Sequence, residues 1–267
     1  MANKGLLFEW SIYHLVNSKN VNKYLKDPNA KTAKANYESA DKEVKSNAQK
    51  ALGYITTKYG APTSVEKTSG GGKEPKTDLY FICPRGKPKC SLKYGGNIQL
   101  SSGGIKNTVG FLTGVLNNLA KLPGYDVKKL RQIISILSEF EEKYGDVGSV
   151  PRRQADEVIS KTEGYDEMLK SILGSRTKPK VSEEFEKIKL AIVEEAMTGK
   201  FTFSGSPKLS ADHILSEKDL KKITPSLIRE VADKTSVRIA LKGRGKKEVA
   251  GKEVRLNEVV VRFDTKA

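Results

Sequence analysis

The apolar positions along the chain change period several times, and each change predicts an element. Residues 6–16 carry apolar side chains at helical spacing and predict a buried first helix, with Trp10, the only tryptophan, in its core. A polar connection over 17–29 leads to one long helix over 32–59, with Thr32 as its cap. That helix is polar in its first half, offers an apolar face over 48–55, and stops at Gly60-Ala61-Pro62. Two short strand-like runs follow, 77–83 and 90–94, on either side of the basic turn Pro84-Arg85-Gly86-Lys87-Pro88-Lys89. This is the pattern of a hairpin with a longer loop.

Helical spacing returns over 104–122, 126–144 and 154–173, the last broken around Gly164. Residues 174–180 read as a linker, and Ser182 caps a helix running to Met197. Two short helices are predicted over 212–222 and 224–234. Alternation over 236–241 and 253–263 predicts two strands, joined by the basic turn Lys242-Gly243-Arg244-Gly245-Lys246-Lys247. The expected class is α/β (α+β): a central mixed β-sheet flanked by helices, with a helical insertion. The expected division is a core over 1–104, a helical region over 105–200, and C-terminal helices with a basic hairpin over 201–267, packed on the core.

Charge narrows the partners. Lys and Arg number 48 against 32 Asp and Glu, a formal net charge of +16, which points to a polyanion and most often to nucleic acid. Lys73, Arg85, Lys87, Lys89, Lys242, Arg244, Lys246 and Lys247 are the candidate contacts to a phosphate backbone, which asks for charge and reach rather than base-edge geometry. The glycines at 70–72 beside Lys73 lack the G-x-x-x-x-G-K-[ST] pattern of a nucleotide-binding loop and read as a mobile segment. No apolar run approaches the ~20 residues that span a bilayer, and the N-terminus reads as neither signal peptide nor anchor. A cytoplasmic protein without a membrane partner is expected. Cys83 and Cys90, the two cysteines, are then reduced thiols, and widely spaced His14 and His213 argue against zinc.

Asp78 lies near the start of the first hairpin strand, and Ser91 and Lys93, two apart on the second, share a face. An acid on one strand opposite a lysine on the next can bring a divalent metal and an ammonium to one phosphate. Beyond them stand Gln99 and Ser101-Ser102-Gly103-Gly104.

These residues resemble the PD-(D/E)xK nuclease superfamily, as does Gly5-Leu6-Leu7-Phe8-Glu9, which fits the family's G-x-x-F-E-like first helix. The resemblance covers roughly residues 4–104. It implies a restriction-endonuclease-like core, Asp78 and Glu9 as ligands of Mg²⁺ (Mn²⁺ as a substitute), Lys93 as the catalytic lysine and Gln99 as an auxiliary residue near the scissile phosphate. Two positions depart from the pattern: Thr77 precedes Asp78 where the family has proline, and Ser91 stands at the (D/E) position. A hydroxyl is a poor metal ligand, so Ser91 would reach metal through water, or Glu9 would serve in its stead. Residues Glu195-Ala196-Met197-Thr198-Gly199 also resemble a segment of phage and restriction-type nucleases, implying a helix end and glycine turn close to the core.

The expected function is thus Mg²⁺-dependent hydrolysis of DNA by an endonuclease of phage or restriction type. The residues do not separate DNA from RNA, and a homodimer is compatible with them. Ser91 favours the alternatives, an inactive nucleic-acid-binding protein on a nuclease-like core or a structural DNA-binding protein.

Overall fold

The computed structural model describes residues 3–68, 76–95, 99–249 and 252–265. Four helices lead: α1 (Lys4–Asn17), α2 (Val21–Tyr24), α3 (Ala30–Ser39) and α4 (Lys42–Tyr59). Strands β1 (Ser64–Lys67), β2 (Leu79–Ile82), β3 (Lys89–Lys93) and β4 (Gln99–Gly104) follow. Next come α5 (Ile105–Leu119), α6 (Val127–Tyr144), the two-residue β5 (Val150–Pro151), α7 (Arg152–Lys161), α8 (Glu163–Leu173) and α9 (Glu183–Thr198). A 3₁₀ turn (Pro207–Leu209), β6 (His213–Ser216) and β7 (Leu220–Lys222) precede α10 (Pro225–Lys234), β8 (Thr235–Val249) and β9 (Lys252–Thr265). No helix among the described residues is long and apolar enough to cross a membrane.

The chain forms two compact units, one of residues 1–97 and 197–225, the other of 98–196 and 226–267. This differs from the three consecutive segments expected, because 213–216 returns to pair with β3 while β4 pairs with β9.

The first unit carries a mixed five-stranded sheet in the order β1-β2-β3-β6-β7. All its neighbours are antiparallel except β3 and β6. Helix α1 forms because Asn3 caps it, its side chain accepting from the Gly5 N–H at 3.0 Å, and because Leu7, Phe8, Trp10, Ile12, Tyr13 and Val16 give it an apolar stripe. That stripe joins the buried face of α4 (Val44, Ala48, Ala51, Ile55) and the sheet residues Val65, Leu79, Phe81 and Leu215 in one core.

The single helix expected over 32–59 is two. Ala40 is extended, and the Asp41 carboxylate accepts from the Val44 N–H at 2.8 Å, so a side chain starts a new helix where the old one could have continued. The helix expected over 212–222 is the strand pair β6–β7. His213, Ile214 and Leu215 are consecutively buried, which suits an interior strand with a parallel neighbour rather than a helix with one apolar stripe. His213 is also clasped at both ring nitrogens, by Tyr59 Oη at 2.8 Å and Asp212 Oδ1 at 2.5 Å. Cys83 and Cys90 are free thiols, and burial pushes both pKa values up.

In the second unit β9 is central, paired to β8 along one edge and to β4 and β5 along the other. The basic turn expected over 242–247 is not a turn. It lies within β8, where the ladder shifts between Gly243 and Lys246 and Gly245 takes a φ of +96°, the mark of a glycine bulge; the two strands meet at Val249 and Lys252. Helices α5 and α6 bury the residues their periodicity predicts, among them Leu112, Leu116, Leu130, Leu137 and Phe140.

Lys189 is the odd member of this interior. It is 3% exposed, and its ammonium donates to the backbone oxygens of Pro179 and, at 2.9 Å, Thr235. Burial lowers its pKa from the ordinary 10.5 to about 8. Below pH 8 the folded and unfolded chains are both charged there, and burying that charge costs stability. Between about 8 and 10.5 the unfolded chain still binds a proton that the folded chain has lost, so stability rises with pH. The neutral amine keeps two N–H groups for its two carbonyls. Relative to Lys189→Met, wild type is expected to gain about 3 kcal/mol across that window. Urea unfolding of both proteins at pH 7 and pH 10 measures it; a pH-independent difference would refute it.

Candidate active site

Asp78 sits one residue before β2 begins. Its N–H donates to the Cys90 carbonyl at 2.9 Å, but its side chain then takes over the ladder, Oδ2 accepting from the Leu92 N–H at 2.6 Å. Ser91, 7% exposed, directs its hydroxyl to the same oxygen in a long 3.5 Å contact. The carboxylate is therefore tied to the backbone of β3, and Ser91 serves as its donor. The strand leading to Asp78 is also held from behind, since the N–H groups of Lys76 and Thr77 donate to the Leu209 carbonyl at 3.0 and 3.1 Å. The glycine turn expected near the core is here: Gly199 has a φ of +64°, and a Cβ on it would collide with Phe203 and Lys76.

Glu9 arrives from the second turn of α1, and Lys93 from the end of β3. Together with Asp78 they line one cleft of about 220 Å³, whose walls include Phe8, Leu92 and Tyr94. Tyr94 is steadied by the Phe8 ring at 5.1 Å and by Asn47, whose side-chain amide donates to its hydroxyl at 3.2 Å. Lys93 lines the cleft and has no ion pair among the described residues. Three residues thus converge: an acid from a helix, an acid from the approach to one strand and a lysine from the end of the next.

Glu9 is already engaged. Lys67, at the end of β1, forms an ion pair with its Oε1, and the Lys67 ammonium lies 4.8 Å from the centre of the Trp10 ring. The Glu9 side chain is only 13% exposed. Burial lowers the Lys67 pKa, and the negative charge of Asp78 works in the opposite direction. Lys67 therefore feels both acids of the cleft.

The donor set fits a hard divalent cation of modest protein demand. No group of three or more His, Cys, Asp or Glu gathers to hold a metal among the described residues, but two carboxylates line the cleft. Mg²⁺ is commonly held by one or two carboxylates, completed by waters and substrate phosphate. Ser91 does not enter that set, because its hydroxyl points to Asp78.

The remaining expected residues disperse. Gln99 lies on β4, opposite Asp264, in the second unit. Lys73 lies outside the described residues. Arg85 is not a free phosphate contact: it donates to the Thr57 carbonyl at 2.9 Å and the Thr56 carbonyl at 3.4 Å, closing the C-terminal turn of α4. Lys89 donates to the Pro207 carbonyl at 3.0 Å and pairs with Asp212. Arg244 and Lys246 pair with Glu258 and Glu253. Lys87, Lys242 and Lys247 have no ion pair among the described residues. The signal for Lys67 in the sequence is the alternation Ser64-Val65-Glu66-Lys67, a short strand rather than the approach to a loop.

Comparison with protein-family models, with curated proteins and with solved structures finds no match for this chain.

Proposed function

We propose that the cleft of the first unit is a metal-assisted phosphodiesterase site and that the protein cleaves DNA as an endonuclease. The observation that carries this reading is the convergence of Glu9, Asp78 and Lys93 on one cleft from α1, the residue before β2 and the end of β3. The surplus of 48 basic over 32 acidic residues supports a polyanionic substrate.

Glu9 and Asp78 would hold Mg²⁺, or Mn²⁺ in its stead. When bound, such an ion supplies a Lewis acid for a phosphoryl oxygen and lowers the pKa of a bound water. The chain's own contributions are separate. The Leu92 N–H and Ser91 hydroxyl hold Asp78 in one orientation. The Lys93 ammonium offsets the charge that builds on the phosphoryl oxygens and orients the attacking water. Lys87, Lys242 and Lys247, with Lys73 outside the described residues, stand as contacts to the phosphate backbone.

A second reading, a nucleic-acid-binding protein on an inactive core, is favoured by the serine at position 91 and by the occupation of Glu9 by Lys67. Plasmid cleavage separates the two. Supercoiled circular DNA incubated with the protein should be nicked or linearised with Mg²⁺ or Mn²⁺ and remain intact with EDTA. DNA that is bound but left whole in every metal would favour the inactive core.

A further inference from the structure

We propose that Lys67 is a built-in counter-ion of the cleft that competes with the divalent cation for Glu9 and is displaced when the metal binds. The inference rests on the metal-assisted reading above. Its ground is the pairing of Lys67 with the very carboxylate that lines the cleft, together with the packing that holds the ammonium there. Two mostly buried carboxylates brought toward one cleft repel each other and lose hydration, so a cation nearby lowers the cost of assembling them. Lys67 supplies that cation from within the chain. It is presented from β1 by a strand whose register fixes Lys67 opposite Leu79, the residue after Asp78. The Trp10 face, 4.8 Å away, attracts the same ammonium and limits where it can go.

An ammonium on Glu9 Oε1 and a divalent ion on the same carboxylate draw on one negative charge and repel each other, so each weakens the binding of the other. The apparent metal affinity is then the intrinsic affinity reduced by the fraction of molecules in which Glu9 is released. The consequence is a cleft that is electrically balanced without metal and that loads metal best when a substrate phosphate shares the coordination. Lys67 is accordingly a regulatory residue rather than a catalytic one.

The experiment is Mn²⁺ binding in the absence of nucleic acid, by calorimetry and by the loss of the free-ion electron paramagnetic resonance signal. Wild type, Lys67→Met and Lys67→Gln are compared, each first checked by thermal melting. Both variants should bind Mn²⁺ roughly tenfold more tightly than wild type. In wild type, amine acetylation read by mass spectrometry should rise at Lys67 on adding Mn²⁺ and stay constant at exposed Lys87. The acetylation arm uses the unaltered chain and decides the matter even where a variant does not fold. Unchanged or weaker Mn²⁺ binding in the variants, or Lys67 acetylation indifferent to bound Mn²⁺, overturns the competition and leaves the metal site standing. Absence of Mn²⁺ binding in folded wild type and variants alike overturns the metal reading itself, and the competition with it.

Discussion

Asp78→Asn is expected to reduce metal-dependent DNA cleavage by about 10³-fold or more, while DNA binding and thermal stability stay near wild type. The size follows from what the carboxylate does in the proposed reaction. It is one of two anionic ligands in the cleft, and the stabilisation of transition-state charge by a bound metal is worth several kcal/mol, with each 1.36 kcal/mol a factor of ten. The substitution is chosen because it separates charge from architecture. Asn retains an oxygen acceptor of similar reach for the Leu92 N–H, the 2.6 Å bond that fastens β3 to the start of β2. Lys93→Met tests the opposite charge in the same cleft. Single-turnover cleavage of supercoiled plasmid, beside filter binding of the same DNA, measures both quantities. An Asp78→Asn protein that still cuts within tenfold of wild type would remove Asp78 from the chemistry.

The constellation around Asp78 was legible in the sequence because each member carries its own local signal. Glu9 follows a glycine on an amphipathic helix, Asp78 opens an apolar run, and Ser91 and Lys93 share a strand face by simple alternation. What the sequence withheld was set by partners distant along the chain. Residues 212–222 have mixed propensities, and only the parallel pairing of His213–Ser216 with Cys90–Lys93 makes them strand. Arg85 and Lys89 look like free basic side chains until the carbonyls of Thr57 and Pro207 are brought to them. Gly243 and Gly245 signal an irregularity correctly, but a glycine pair in a basic run reads equally as a turn or as a bulge, and the ladder to β9 decides for the bulge. Lys67 was missed for a related reason: its meaning lies in a contact to a helix 58 positions earlier, and alternation over four residues is too short to announce a strand.

Phe81→Ala should lower the stability of the first unit by about 3–5 kcal/mol, a large share of the roughly 5–15 kcal/mol that holds a domain folded. Phe81 is fully buried on β2, directly opposite Val65 of β1, with its N–H donating to the Pro88 carbonyl at 3.0 Å. The core it joins includes Phe8 and Ile12 of α1, so the cavity would open in the core shared by the sheet and the helix that carries Glu9. Neither element can close it without moving the other, which places this substitution at the costly end of the large-to-small series. Trp10, the only tryptophan, is 7% exposed in the same core, so its fluorescence during urea unfolding reports on this unit. The midpoint should fall at an unchanged slope, and a loss under 1 kcal/mol would show that Phe81 is not a keystone of the core. Phe81→Ala and Asp78→Asn then lose cleavage by routes that one signal tells apart. In Phe81→Ala, activity should disappear along the Trp10 unfolding curve and return when the urea is diluted. In Asp78→Asn, it should be absent while Trp10 remains folded.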